Sequence, residues 1–563
     1  MNRINISKRQ IFFISFYLLI FVIGTVLIFI IPTEVKITYG HTVKTSDGET
    51  ISFNVVEPKS EELSKKAVII GHGIMSNKEM LMDYAIELAC AGFVAVPFDF
   101  RGHGQSTGEI DYDKLINDVR AIESYLNSRS DINSSSLGYL GFSMGGFPGI
   151  EIVNKSTNFK CFIGAATRLP EKVRKGNSTA PLNILMIIGR YDEAFPLNEL
   201  KEGLSDRVGL PENEIEVNKL YGSFQDGNAS MIYLDDNSNH VLGNWDSDFI
   251  REARNFVKST FPDVRPVDEN FYANIRFLIL IIQLFGGFGF FMVIIKPLYI
   301  LVLKSNEEDF FRIESGDETI SSLSIKVTIY SLVLGVPGII IFVPLILFLP
   351  LATAGFILAL LFGQTFGLLI LLWRFGKRRD LHLLKILKQP FKVSRNNLLK
   401  QFIIGAFLAT LLYVIIYLSA GLTYMGMVPS LMKLPWVPLY FAITFIIFMI
   451  FGILFQGIIQ NKFEKGIKNF LKISLFIFGN LLLYMSIYLF ILALITGSFF
   501  YFGSFMPFAI PLFLLNSFTS THIYQKSGNI IGSTIVNALF FTLLICTISP
   551  YQIGLRFIMG FFH

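Results

Sequence analysis

The apolar residues of this chain are gathered into long uncharged runs, and this uneven distribution constrains the fold more than any other feature. The first run covers residues 11–32, and roughly 20 apolar residues suffice to cross the hydrocarbon core of a bilayer. Comparable runs return only after residue 276, and the stretch between them has the mixed composition of a soluble domain. The sequence therefore predicts a soluble-type domain joined to a set of membrane-spanning helices.

About nine spans are predicted in all. Arg3, Lys8 and Arg9 precede the first run, and no small-residue cleavage site follows it, so we predict an uncleaved signal anchor. The later spans lie near residues 277–303, 325–350, 352–373, 401–424, 438–460, 473–497, 501–523 and 529–549. The predicted organisation is an anchor at 1–32, a soluble-type domain at 33–265, and a polytopic membrane domain at 266–563 with about eight helices.

Charge in the predicted loops indicates the orientation of the chain. Nine basic residues and one acidic residue, Asp380, lie between Arg374 and Lys400. A basic run between two apolar spans is typical of a cytoplasmic loop rather than of a nucleic-acid site. The other predicted inner loops hold Lys304, Arg312, Lys462, Lys465, Lys468, Lys472 and Lys526, whereas the outer segments after the second span hold Lys433 and Arg556. We predict a multi-pass protein of the cell membrane with its N-terminus inside and residues 33–265 outside the cytoplasm.

The predicted spans offer little chemistry of their own. After Glu318 the acidic residues are Asp380 and Glu464, both in predicted inner loops. Carboxylates within spans usually mark ion or proton pathways, so their absence argues against an ion-coupled transporter. Cys90, Cys161 and Cys546 have neither metal-binding nor redox spacing. Free buried thiols are predicted, and no metal or cofactor is implied.

Short apolar runs alternate with helical patterns in the soluble-type domain. Strands are predicted at 35–39, 51–56, 67–71, 93–98, 137–142, 159–165, 184–188 and 231–234, with helices at 79–91, 112–128, 144–155 and 247–259. The first two strands read as antiparallel, and the later ones as strands buried on both faces. The predicted fold class is α/β with a mostly parallel central sheet, whose functional residues should lie at the carboxyl ends of the strands.

A nucleophile is predicted at Ser143. The sequence Gly-Phe-Ser-Met-Gly at 141–145 matches the pattern Gly-x-Ser-x-Gly, and it follows a buried strand and opens a helix, which is the context that this turn requires. A serine hydroxyl is a poor nucleophile until a base accepts its proton. The pattern therefore predicts a base and a carboxylate further along the chain.

His240 is the one histidine of this domain after Ser143, and it directly follows the last predicted strand. In chain order a carboxylate should lie between the serine and the histidine, and Asp192 follows the strand at 184–188. Glu193 is the nearest competitor, although its side chain is expected to point away. Asp235 and Asp236 are further alternatives because they precede His240 closely.

An acyl-transfer intermediate also needs backbone N–H groups that stabilise its oxyanion. One N–H should come from Met144, directly after the nucleophile, and the other from Ile74 in the loop after the strand at 67–71. Met75 is an alternative to Ile74. His72, in the same loop, is predicted to brace the loop.

Together these residues resemble the α/β-hydrolase superfamily over about residues 35–260. The resemblance rests on His72-Gly73, the stretch from Asp99 to Ser106, the turn around Ser143, Gly189 with Asp192, and His240. It implies that Asp99 and His103 brace a turn. The domain looks like the compact dienelactone-hydrolase or prolyl-oligopeptidase types, since the 18 residues between Ala165 and Ile184 leave no room for a large helical lid. The membrane region resembles that of prokaryotic hydrolase–membrane fusions.

The expected activity is hydrolysis of a carboxylic ester, or of a thioester or amide, through an acyl-enzyme. The expected partners are a small-molecule, lipid or acylated substrate and membrane lipid, and no nucleic acid. An acyltransferase or a peptidase could use the same three residues. A transporter or receptor with an accessory hydrolase domain is the alternative of another class.

Overall fold

The computed structural model describes residues 7–303, 311–314, 316, 318–464 and 466–553. Arg3, Lys304, Lys465 and Arg556, which entered the prediction of orientation, lie outside these residues. Within them, residues 33–265 contain all the strands and are called the sheet domain, and residues 266–553 are called the helical region.

The sheet domain is built on one sheet of eight strands in the order β1-β2-β4-β3-β5-β6-β7-β8. The strands are β1 Val35–Lys44, β2 Thr50–Pro58, β3 Lys65–Gly71, β4 Val94–Phe98, β5 Ile132–Phe142, β6 Phe159–Ala165, β7 Asn183–Tyr191 and β8 Ser230–Asn239. β2 pairs antiparallel with β1 and β4, and the remaining pairs are parallel. The predicted mostly parallel α/β sheet is confirmed.

Helices cover both faces of this sheet. They are α2 Met82–Cys90, α3 Leu115–Ser128, α4 Gly146–Lys155, α5 Leu197–Val208 and α6 Ser247–Thr260. The central strand β3 shows why both faces are apolar: Ala67 and Ile69 enter one core, and Val68 and Ile70 enter the core on the other face. Parallel strands covered in this way lose the alternation of apolar and polar residues.

Nine helices of the described ranges are long and apolar enough to cross a membrane, which agrees with the predicted number. One is α1 Lys8–Ile30. In the helical region the long helices are α7 Ala273–Val302, α8 Ile320–Ile346, α9 Ala352–Lys377, α11 Arg395–Ile416, α12 Val437–Leu454, α13 Ile467–Thr496, α14 Phe500–Ser527 and α15 Ile531–Ile548; α10 Leu383–Lys388 is a short helix between α9 and α11. Such a set is consistent with a multi-pass membrane protein.

The two helices that flank the sheet domain, α1 and α7, pack closely against each other. A methyl group at Gly24 would lie 2.6 Å from Gln283 Cγ, and one at Gly286 would lie 2.5 Å from the backbone nitrogen of Phe21. Small residues allow the backbones of membrane helices to approach in this way. The sheet domain is therefore inserted between two adjacent helices.

The sheet domain lies against one end of the helical region. Gly426 donates its backbone N–H to Asn77 Oδ1 at 2.9 Å. Tyr551 donates its backbone N–H to the carbonyl of Gly102, and its own carbonyl accepts the N–H of Ile110. The backbone N–H of Gln552 is bonded to the carbonyl of Pro350, so the loop before α9 lies at this end as well. Since α9 is 26 residues long and a helix rises about 1.5 Å per residue, its basic carboxyl end lies at the opposite end of the bundle.

Candidate active site

Ser143 lies on a sharp turn between β5 and α4. Its backbone has φ of +50°, a strained conformation for a residue with a side chain. Two glycines make this turn sterically feasible: a methyl group at Gly141 would lie 2.5 Å from the carbonyl oxygen of Gly145, and one at Gly145 would lie 2.3 Å from that of Gly71. The turn lifts the Ser143 hydroxyl above the carboxyl edge of the sheet.

His240 follows the end of β8, and Asp192 follows the end of β7, the strand next to it in the sheet. His240 Nε2 lies 2.9 Å from Ser143 Oγ. On the other side of the ring, Nδ1 lies 3.0 Å from Asp192 Oδ2 and 3.1 Å from Oδ1. Both side chains are buried, with 5% of His240 and 1% of Asp192 exposed. The structure thus brings together the three residues predicted from chain order.

The Asp192 carboxylate is held in place by backbone groups. Its Oδ1 accepts the N–H groups of Ala194 at 2.9 Å and Phe195 at 3.0 Å. These bonds fix the orientation of the carboxylate. An oriented carboxylate in turn selects the His240 tautomer that carries its proton on Nδ1, which leaves Nε2 free to accept the proton of Ser143.

Asp192, and not one of the three competing carboxylates, lies beside Nδ1 of the His240 ring. The expectation that Glu193 points away from His240 is wrong, because Glu193 Oε2 accepts the backbone N–H of His240 at 3.3 Å. It bonds the backbone and not the ring, since the ring nitrogen is already held by Asp192. Asp235 Oδ2 accepts the N–H groups of Asn237 and Ser238, and Asp236 is exposed.

Part of the sheet domain also matches a known protein family in sequence. Residues 62–207 match the family model described as serine aminopeptidase, S33, a span that runs from β3 past Ser143 and Asp192. The sheet domain is an α/β-hydrolase domain. Its sheet order, its turn at Ser143 and this match agree with the resemblance found from the motifs.

Two uncharacterized proteins of Mycobacterium tuberculosis are each 29% identical to the chain over 103 residues, which are 18% of this chain and 36% of theirs. The match thus covers about a third of the length of those relatives. Among solved structures, an esterase of Pyrococcus furiosus is 20% identical with a TM-score of 0.31, and covers 40% of this chain and 92% of its own. An esterase of Exiguobacterium antarcticum is 15% identical with a TM-score of 0.30, and covers 39% and 100%.

The predicted oxyanion residues border the hydrolase domain's candidate site. Ile74 and Met144 line the same cavity as Ser143. Met75, the alternative to Ile74, lines a smaller cavity together with Ile74, Ser143 and His240. Both Ile74 and Met144 belong to segments that follow the ends of adjacent parallel strands, β3 and β5.

The residues predicted to brace the loops bond other loop atoms. His72 Nδ1 donates to the carbonyl of Gly73 at 2.7 Å, and its Nε2 accepts the N–H of Phe100 at 3.1 Å. Burial lowers the pKa of His72 to about 4, so the neutral ring is the form that fits these bonds. Asp99 accepts from the backbone N–H and the Nζ of Lys78, and His103 Nδ1 bonds the carbonyl of Arg101.

The helical region covers the candidate site, which the motifs did not predict. No helix occurs between β6 and β7, as expected from the short connection. Phe500, the first residue of α14, packs against His240 instead, and their ring centroids are 5.6 Å apart. Phe142 and Phe195 of the hydrolase domain flank the same ring at 5.8 and 5.6 Å. Nothing in the sequence of α14 distinguishes Phe500 from its apolar neighbours.

One group of acidic side chains, Asp235, Asp246 and Asp248, is compact enough to hold a metal ion, among the residues that the structure describes. The group does not include Ser143, His240 or Asp192. Asp246 accepts the N–H groups of Asp248 and Phe249 as the cap of α6, and Asp235 bonds the turn that follows it. Asp248 pairs with Arg251, so each of the three carboxylates has a bonding partner within the chain.

Proposed function

We propose that the protein is a serine hydrolase that cleaves carboxylic esters through an acyl-enzyme formed on Ser143. The observation that carries the proposal is the continuous hydrogen-bonded series from Ser143 Oγ to His240 Nε2 and from His240 Nδ1 to Asp192. The family match supports a hydrolase in general. The role of each residue and the choice of an ester substrate are part of this proposal and go beyond the family match.

In the first half of the reaction, His240 Nε2 takes the proton of Ser143 as Oγ attacks the ester carbonyl carbon. The N–H groups of Ile74 and Met144 stabilise the negative oxygen of the tetrahedral intermediate. The intermediate collapses by breaking the bond to the alcohol oxygen, which takes the proton from His240. Asp192 keeps the ring oriented and stabilises its charged form.

In the second half, a water molecule attacks the acyl-enzyme, and His240 Nε2 takes its proton. The second tetrahedral intermediate releases Ser143, which regains the proton, and the carboxylic acid leaves. Ser143 and His240 end the cycle in the protonation states in which they began, because water supplies the proton that replaces the one lost to the alcohol. Acyl transfer to an alcohol would differ only in the molecule that attacks the acyl-enzyme.

We also propose that the chain is a multi-pass protein of the cell membrane whose hydrolase domain lies outside the cytoplasm. The support is the arrangement of charge: the loops at the end next to the hydrolase domain are nearly free of basic residues, and the run between Arg374 and Lys400 lies at the other end. Basic residues of short loops are retained on the cytoplasmic side.

Labelling with a fluorophosphonate probe tests the proposed activity directly, because the probe reacts with activated serines. We expect the purified, detergent-solubilised protein to be labelled and Ser143→Ala to be unlabelled. His240→Ala should label far more slowly, since loss of the base can reduce turnover by a factor of about 10⁶. Ser124→Ala, which removes an exposed serine of α3, is the matched control and should label normally.

A folded protein that is not labelled would contradict the proposal. If the protein is labelled, hydrolysis of p-nitrophenyl butyrate, the corresponding thioester and a peptide amide decides the substrate class. Faster turnover of the peptide than of the ester would favour a peptidase. Formation of a new ester in the presence of an alcohol, at the expense of free acid, would favour an acyltransferase.

A further inference from the structure

A cavity of about 910 Å³ opens beside Ser143, and much of its wall belongs to the helical region. Such a volume is near the upper end of the range of ligand pockets, roughly 300–1,000 Å³. The hydrolase domain contributes Phe147 and Phe195 together with Ile74 and Met144. Helices α8, α9, α13 and α14 contribute the opposite wall, so neither part of the chain forms the cavity alone.

The lining of this cavity is suited to hydrocarbon. The helical region supplies Ile346, Phe356, Leu492 and Phe500, and the polar groups that it adds are hydroxyls, including that of Thr496. None of the residues lining the cavity is an Asp, Glu, Lys or Arg, within the part of the chain that the structure describes. A charged peptide segment would lose its hydration here without gaining a partner, whereas an acyl chain would gain from burial.

Val343 of α8 and Ile495 of α13 line the cavity and are also exposed, which indicates an opening, here called the mouth, between these two helices. Lower in the bundle the two helices are in contact, since Tyr488 Oη donates to the carbonyl of Leu332 at 2.7 Å. Nearer the hydrolase domain they are separated by the cavity, which both Val343 and Ile495 line. These two side chains are also 37% and 77% exposed.

The mouth lies on an apolar outer surface. Leu345 and Phe348, which follow Val343 in the chain, and Leu494, which precedes Ile495, are large apolar residues exposed at the surface. Exposed apolar faces of long apolar helices are the surfaces that contact acyl chains in a bilayer. A chain that lies among these side chains could enter the cavity without crossing water.

We infer that the cavity binds the acyl chain of an ester lipid of the bilayer, which enters between α8 and α13 and presents its carbonyl to Ser143. The inference rests on the proposed esterase function and names its substrate class. In this arrangement the helical region covers the candidate site and forms part of the acyl-binding cavity, as a lid would. Because the helical region supplies this cover, the connection between β6 and β7 can be short.

Chain-length preference tests this inference. Each buried methylene strengthens binding roughly fourfold, so kcat/KM should be higher for p-nitrophenyl palmitate than for p-nitrophenyl butyrate in detergent solution. A bulky ring at the mouth should narrow it, and we expect Ile495→Trp to lower the palmitate-to-butyrate ratio by about tenfold or more. Leu483→Trp is the matched control, because Leu483 is an apolar residue of the same helix that is 45% exposed and does not line the cavity.

A second pair repeats the test on the other side of the mouth and keeps it decisive if one variant does not fold. Val343→Trp should lower the ratio, and Ile341→Trp, 58% exposed and outside the lining, should leave it unchanged. Fluorophosphonate labelling of every variant separates the two proposals. Labelled protein with the same ratio in all variants would overturn the acyl-chain inference alone. Folded wild-type protein that is neither labelled nor active on either ester would overturn the proposed function itself.

Discussion

Arg276 of α7 donates a hydrogen bond of 3.1 Å to the carboxylate of Asp83 in α2, and both side chains are buried. The same guanidinium donates to the carbonyls of Ile28 and Ile31 at the end of α1, at 3.0 and 2.6 Å. One side chain therefore joins the hydrolase domain to both helices that flank it. Burial raises the pKa of Asp83, and the cation beside it opposes that effect.

We expect Arg276→Gln to destabilise the protein by roughly 3–5 kcal/mol, because it leaves the Asp83 carboxylate buried without its counter-charge. Asp83→Asn combined with Arg276→Gln should cost less than the sum of the two single changes, since the residues are in contact. Thermal unfolding in detergent, followed by tryptophan fluorescence, measures both. Strictly additive losses would show that the pair is not energetically coupled.

Replacement of Asp192 by Asn tests the role of its charge, because the amide has nearly the same size and shape as the carboxylate. Asp192→Asn should reduce kcat for ester hydrolysis by a factor of about 10⁴, because an amide favours the wrong His240 tautomer. The thermal unfolding temperature should change little in comparison. Glu193→Gln is the control, since Glu193 bonds the backbone of His240 and not its ring. An equal loss of kcat in both variants would argue that Asp192 does not orient the ring.

The glycine turn around Ser143 predicts a difference between two otherwise similar substitutions. Gly145→Ala would place a methyl group 2.3 Å from the carbonyl oxygen of Gly71, and we expect a loss of about 1–3 kcal/mol together with slower labelling. Gly479→Ala has open space around its new methyl group and should leave both properties unchanged. Normal labelling of Gly145→Ala would mean that the turn relaxes without moving Ser143.

Stability should depend on pH through His72. Burial lowers its pKa to about 4 in the folded protein, whereas the unfolded chain has a histidine pKa of about 6.5. Between these values the unfolded state binds more protons, so stability should fall by up to roughly 3 kcal/mol as the pH drops from about 6.5 to 4. The charged groups nearby are Asp99, Lys78 and Lys433.

The control for this pH dependence is His72→Gln, which cannot titrate in this range. Its unfolding temperature should fall less steeply on acidification than that of the wild type. His103, whose pKa burial also lowers, should preserve part of the slope. Identical slopes in the two proteins would contradict the assignment to His72.

Accessibility of single engineered cysteines tests the proposed orientation. Cys90, Cys161 and Cys546 are all buried and should not react with a membrane-impermeant maleimide in the folded protein. Ser124→Cys, on an exposed position of the hydrolase domain, should be labelled in intact cells. Lys385→Cys, in the basic segment at the opposite end, should be labelled only after the membrane is opened. The reverse pattern would place the hydrolase domain in the cytoplasm.

The sequence was most informative where function depends on local chain geometry. The turn at Ser143 is a five-residue pattern, and Asp192 and His240 follow strands that sequence periodicity had already located. Eight strands and nine long apolar helices could be predicted for the same reason. Helix α5 was not predicted, because it is largely polar and buries only a few side chains such as Leu200 and Leu204.

The cover of the site could not be predicted, because it depends on how distant segments pack. Phe500 and Leu492 lie among many other apolar residues, and their residue types do not differ from those that face lipid. Only the packing of α13 and α14 against the hydrolase domain separates the residues that line the cavity from those that face outward. The bond from Glu193 to the His240 backbone is likewise a product of tertiary structure.

The close pairing of α1 with α7 has a consequence for how such a chain could have arisen. Both junctions of the hydrolase domain lie at one end of a helical hairpin, and domains with neighbouring termini are readily inserted into or removed from a host. A membrane protein could have acquired the enzyme in a single recombination at the α1–α7 turn. Contacts such as Asn77 with Gly426 would then be later refinements, and homologous bundles lacking the insert would retain the hairpin glycines.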